Sequence, residues 1–168
     1  MSLNIKNSIL ILIFFILQII WFNHIMLFGK YIPIIYIYPI LLLPIEKNDT
    51  INLLLAFIYG ISIDLASNTG GVFAATAVLV VYLRKIYFLI IKNPSQDLEK
   101  IQVSKLSSGQ KLIYYLIFIL ISQFFIYFIE AFGIELVWQK TSVILINSLI
   151  TLIFFILIDV LFVNRHRQ

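Results

Sequence analysis

Six long apolar runs, separated by short polar connections, constrain this chain more than any other feature. The first extends from Ser8 to about Phe28, interrupted only by Gln18, Asn23 and His24. A hydrocarbon core of about 30 Å requires roughly 20 apolar residues per helix. On that ruler the runs predict spans at about 7–28, 31–45, 50–67, 71–91, 111–132 and 140–163, with the longest polar connection at 92–110. The runs are continuous and do not alternate with period two, which favours a helical bundle over a barrel. The expected fold class is therefore an all-α integral membrane protein with six transmembrane helices in one domain.

Composition agrees. The chain has 168 residues, 62% of them hydrophobic, and a mean hydropathy of +1.05. A soluble domain of this size cannot hide so much apolar surface, because much of its surface must be polar. Cysteine is absent, which excludes disulfides, thiolate metal sites and cysteine nucleophiles. The net charge of +4 is small and confined to the connections, so nucleic acid is not an expected partner. The N-terminal run has one lysine, Lys6, before it and no small-residue cleavage site after it, and reads as a retained first span.

Charge orients the spans. With the N-terminus inside, Lys6, Lys47, Arg84, Lys85, Lys92, Lys100, Lys105, Lys111, Arg165 and Arg167 lie on the inner side, ten of the 12 basic residues. Only Lys30 and Lys140 lie outside. The positive-inside rule then places both termini in the cytoplasm.

The second run carries Pro33, Pro39 and Pro44. Proline lacks an amide hydrogen and clashes with the carbonyl four residues back, so a kink or break is expected near Tyr38-Pro39. A broken helix is tolerated in lipid only where neighbouring protein satisfies the freed backbone groups, so this segment should be buried in the bundle. Asp49 or Asn48 is a good N-cap for the third span. Gly60 and Asp64 follow on one face of that span, and Ser67-Asn68-Thr69-Gly70-Gly71 turns the chain into the fourth. Gly60 offers close approach to a neighbour. Asp64 offers two acceptor oxygens beside the end of an apolar run, where a carboxylate needs a reason to exist. Two roles stand open for it: fixing the turn through the amides of Asn68–Gly71, or contacting a partner or ligand.

The remaining polar residues define little chemistry. In the 92–110 connection, Asn93-Pro94-Ser95-Gln96 could open a short surface helix, with a disordered loop as the alternative. Asp64 and Asp159 fall at opposite ends of the bilayer, which excludes a paired-carboxylate site. Asp159 and Arg84 share the inner side and could form an ion pair. His24 and His166 lie on opposite sides, and there is no H-E-x-x-H, G-x-S-x-G or Walker A motif. No metal or cofactor site is expected. Gln18, Gln123 and Asn147 read as amides that hydrogen-bond across helices.

The stretch Tyr36-Ile37-Tyr38-Pro39, then Leu41-Leu42-Leu43-Pro44, Phe57-x-x-Gly60-x-x-x-Asp64-Leu65, Gly71 and Tyr82-Leu83-Arg84 resembles the rod shape-determining MreD family. The matching positions are Pro39, Gly60, Asp64, Gly71 and Arg84. The resemblance implies a non-enzymatic inner-membrane component of the bacterial cell-elongation machinery. Its implied partner is the single-span scaffold MreC, linking MreB filaments to peptidoglycan synthesis by RodA and a transpeptidase; a homodimer stays open. The resemblance also implies a fold like that of the substrate-binding subunits of energy-coupling-factor transporters. That supplies an alternative function, the binding of a vitamin, for which Asp64, Glu130, Trp138 and Asn23 could line an outer pocket. The first span lacks the small-residue motif with which such subunits dock, which weighs against this alternative.

Overall fold

A computed structural model describes residues 5–22, 31–45, 50–91, 103, 106–131 and 134–162. Within them the regular elements are all helical. They are α1 (Ile5–Leu17), continued by a π-helical turn (Gln18–Phe22), α2 (Ile37–Leu42), α3 (Thr50–Ser67), α4 (Val72–Ile91), α5 (Ser108–Ala131), α6 (Ile134–Gln139) and α7 (Thr141–Phe162). The expected Asn48 or Asp49 cap, the helix opening at Asn93, the residues Asn23 and His24, and the tail Arg165-His166-Arg167 lie outside the described residues.

Among the described residues, four helices are long and apolar enough to cross a membrane: Thr50–Ser67, Val72–Ile91, Ser108–Ala131 and Thr141–Leu161. They correspond to the last four of the six expected spans. The first apolar helix is shorter, with its apolar part at Ile9–Phe22. The second run is not a helix along its length. It is non-helical from Tyr31 to Ile35 and helical only over the six residues of α2.

Pro39 does not kink that helix. The helix begins two residues before it, which puts Pro39 in the first turn, where a missing amide hydrogen costs no intrahelical bond. The break lies earlier, around Pro33. The segment is nevertheless deeply buried: Ile35, Tyr36, Ile37, Tyr38, Ile40 and Leu41 are each at most 1% exposed.

The long helices surround this segment. Neighbours follow in the order α1, α3, α4, α5, α7, and an edge-on contact of Phe22 with Phe154 at 5.1 Å joins the end of the first to the last. Every one of the five touches the central segment. Phe14 of α1 stacks on Tyr38 at 5.1 Å, Tyr59 of α3 and Phe73 of α4 flank Tyr36, and Tyr115 of α5 and Phe155 of α7 flank Tyr38. The outward faces carry large apolar side chains such as Leu54, Phe57, Leu149 and Ile153, as lipid-facing helices require.

Local sequence explains two helix ends. α5 starts three residues before the expected Lys111, because Ser107 and Gln110 form a reciprocal cap. The Ser107 amide donates to Gln110 Oε1 at 3.0 Å and the Gln110 amide to Ser107 Oγ at 3.3 Å. At the end of α3, Asn68 takes a left-handed φ of 56°. The Thr69 amide then reaches back to the Asp64 carbonyl at 3.1 Å, closing the helix in a Schellman turn.

Candidate functional site

The five residues singled out by sequence fall into two groups, at the α3–α4 turn and at the carbonyl end of α2. Asp64 dominates the first. It is 5% exposed. Its Oδ1 accepts from the Phe73 amide at 3.0 Å and from the Thr69 hydroxyl, and its Oδ2 accepts from the Ala74 amide at 2.8 Å. Phe73 and Ala74 are the second and third residues of α4. Helix N-termini leave such amides unpaired, and the residue at the capping position, Gly71, has no side chain to serve them. Gly71 instead supplies the backbone, with φ of 101°, that lets the next helix start beside Asp64. The carboxylate thus sits at the positive end of the α4 dipole, although its own residue lies at the unfavourable end of α3. Of the two roles left open by sequence, the geometry is that of turn fixing, with amides just beyond the glycines rather than those of Asn68–Gly71.

Gly60 lies one turn before Asp64. A Cβ added there would meet the Ala74 Cα at 2.4 Å and the Phe73 carbonyl oxygen at 2.9 Å. The close approach expected at Gly60 is therefore made by α4 of the same chain. Backbone of the same chain fills the space beside Gly60, as a structural hairpin requires.

The second group holds α2 in place. The Gln18 Oε1 accepts from the Ile35 amide at 2.9 Å and the Tyr36 amide at 3.2 Å, and the Thr151 hydroxyl accepts from the Ile34 amide at 3.2 Å. These are donors that no helix or strand serves. At the other end, the Arg84 guanidinium donates to the carbonyl oxygen of Ile40 and, at 3.4 Å, to that of Pro44. The Tyr114 hydroxyl donates to the Leu41 carbonyl at 3.0 Å, and the Asn52 amide group to the Pro44 carbonyl at 2.9 Å. Arg84 is 1% exposed and places its charge at the negative end of α2. The Tyr36 hydroxyl joins the two groups by donating to the Phe73 carbonyl at 3.4 Å.

Arg84 does not pair with Asp159, contrary to expectation. Asp159 binds Lys111 at 3.1 Å and accepts from the hydroxyls of Tyr115 at 3.2 Å and Tyr38 at 3.4 Å. The reason is facing: Arg84 points at α2, whose open carbonyls supply the acceptors a carboxylate would have supplied. The outer-pocket set is not assembled either. Asp64 is buried with its oxygens occupied, Trp138 is 73% exposed, Glu130 is exposed, and Asn23 lies outside the described residues.

The buried amides divide. Gln18 and Asn147 bond across elements, Asn147 donating to the Tyr127 hydroxyl at 3.1 Å. Gln123 does not: neither carboxamide atom has a partner among the described residues, and Asn147 Oδ1 also lacks one. Thr151, Tyr114 and Asn52 were not singled out by sequence. The prolines were the available signal, since a broken backbone in lipid calls for polar side chains nearby.

Together, apolar helices around a polar-clamped central segment define a multi-helix membrane protein of the all-α class. A scan against protein-family models found no matching family, and comparisons with curated proteins and with solved structures found no match.

Proposed function

We propose that this chain is a non-enzymatic, multi-pass component of the bacterial inner membrane that acts by binding other membrane proteins within the cell-elongation complex. It captures a single-span scaffold of the MreC type and through it couples MreB filaments to peptidoglycan synthesis by RodA and a transpeptidase. In this reading residues 31–45 make the second of six crossings in a partly extended form, and both termini are cytoplasmic. One observation carries the non-enzymatic part of the reading. Asp64 and Arg84, both nearly fully buried, are bound to backbone groups of their own chain, one clamping a turn and the other a broken segment. Such groups confer rigidity, and a rigid apolar exterior suits recognition by shape in lipid. The family resemblance in residues 36–84 supplies the partners.

The test is purification of the tagged chain from its native membranes in gentle detergent, with co-purifying proteins identified by mass spectrometry. A single-span scaffold accompanied by wall polymerases supports the proposal. A preparation from which both are missing refutes it.

A second reading, the substrate-binding subunit of a small-molecule transporter, has one observation in its favour. The orphaned Gln123 carboxamide and Asn147 Oδ1 are buried polar atoms of the kind a ligand could satisfy. Co-purification of ATPase subunits with a coupling membrane protein would select it.

A further inference from the structure

The short helix α6 lies between two helices long enough to cross a membrane, α5 and α7. Only Phe132 and Gly133 separate it from the first, and only Lys140 from the second. At 1.5 Å per residue it is about 9 Å long, so it is held at the membrane boundary whichever way the bundle is oriented. Its end is tied to α7. The Lys140 amide donates to the Val137 carbonyl at 3.0 Å and the Thr141 hydroxyl to the Trp138 carbonyl at 2.8 Å, and Val137 is buried. The Trp138 side chain, by contrast, is 73% exposed, more than any other described aromatic residue, and its indole N–H has no partner among the described residues.

Two opposite charges stand at the same boundary. Lys140 places its ammonium 5.4 Å from the centre of the Tyr127 ring. That ring is held in turn by Asn147, which donates to its hydroxyl at 3.1 Å. Glu130 follows Tyr127 by three positions on the same face of α5 and lies within electrostatic reach of Lys140. Both charged residues are exposed, and they form no ion pair with each other. Water alone suits this arrangement poorly. An indole carries an apolar body and a single donor, and it favours the layer where acyl carbonyls and phosphates meet hydrocarbon.

We infer that the α5–α7 connection seats the headgroup of a zwitterionic phospholipid. The lipid phosphate accepts from the Trp138 indole N–H and faces the Lys140 ammonium, a charge-assisted contact. The ammonium of the same headgroup faces Glu130. A headgroup with a phosphate and no ammonium satisfies Lys140 and leaves Glu130 opposite a like charge, which is unfavourable. Tryptophan alone would set only the depth of the connection; the two charges beside it select the lipid by its charge pattern. The inference is independent of the cell-elongation reading and of which leaflet the connection meets.

The chain has 2 tryptophans, so Trp21→Phe leaves Trp138 as the sole indole fluorophore. The full-length variant is reconstituted in vesicles of phosphatidylethanolamine and phosphatidylglycerol at equal mole fraction, with one lipid or the other brominated. Trp138 emission should be blue-shifted from that of indole in water, and bromines near the ester should quench it more than bromines near the chain end. Brominated phosphatidylethanolamine should quench several-fold more strongly than brominated phosphatidylglycerol. Glu130→Gln, a change confined to one exposed carboxylate, should remove that preference and leave the depth of Trp138 unchanged. The inference is overturned by emission like that of indole in water, by strongest quenching from the chain end, by equal quenching from the two lipids, by a preference for phosphatidylglycerol, or by a preference that survives Glu130→Gln.

Discussion

Asp64 Oδ2 accepts the Ala74 amide at 2.8 Å, while the main-chain carbonyl of the same residue accepts the Thr69 amide that closes α3. One residue therefore joins the end of one helix to the start of the next. Asp64→Ala leaves two buried amides and the Thr69 hydroxyl without an acceptor, and loss of a cap alone costs about 1 kcal/mol. The expected result is a lower melting temperature in detergent, with Asp64→Asn intermediate because it keeps one oxygen. An Ala variant that melts with the wild type would remove the cap from the account.

Gly60→Ala should be more damaging than its size suggests. The new methyl would meet backbone, not a movable side chain, so α3 and α4 must separate. Overpacking of this kind costs about 1–3 kcal/mol. Gly70→Ala is the informative comparison, since a Cβ there meets nothing and only the φ of 66° opposes it. Size-exclusion profiles of the two variants should show the larger loss of monodisperse protein for Gly60→Ala.

Gln18→Leu removes the acceptor for the Ile35 and Tyr36 amides while preserving apolar volume. Each orphaned buried donor costs about 1–3 kcal/mol, so thermal stability should fall by several degrees or the protein should fail to accumulate. Gln18→Glu, which retains acceptor oxygens, should recover part of the loss. Equal behaviour of the two variants would show that the amides find other partners.

Arg84→Lys keeps the charge and is still expected to destabilise. The guanidinium reaches two carbonyls, of Ile40 and Pro44, with separate nitrogens of one planar fork, and an ammonium offers no such fork. Limited proteolysis in detergent should cut the 31–45 segment faster in Arg84→Lys than in wild type. Asp159→Asn removes the charge that faces Lys111 in a pair whose side chains are only 13% and 18% exposed, and should lower the melting temperature more than loss of an exposed surface pair would.

Sequence alone conveyed the membrane class, because apolar runs of that length have one plausible solvent. The α3–α4 hairpin was also readable, since Asp64, Asn68, Gly70 and Gly71 carry local backbone chemistry at fixed offsets. Arg84 was misjudged for a different reason. Its acceptors are carbonyls 40 and 44 residues away, and backbone oxygens leave no mark in a sequence. The start of α5 was readable and was passed over: Ser107-x-x-Gln110 is a capping box immediately before an apolar run. Pro39 shows the limit of a rule applied without a register. Its effect depends on where the helix begins, and that was set by the burial of Tyr36 and the reach of Gln18.

The clamps on residues 31–45 also impose an order on synthesis. Among the clamps that the described residues make, only Gln18 precedes the segment; Asn52, Arg84, Tyr114 and Thr151 all follow it, and Thr151 lies 117 positions after Ile34. Until that last residue leaves the ribosome, part of the segment's backbone has nothing in the chain to bond to, and lipid offers nothing in its place. The nascent second run must therefore wait in a wet or protein-lined environment, and the final seating of α2 is a late event that closes the bundle around it.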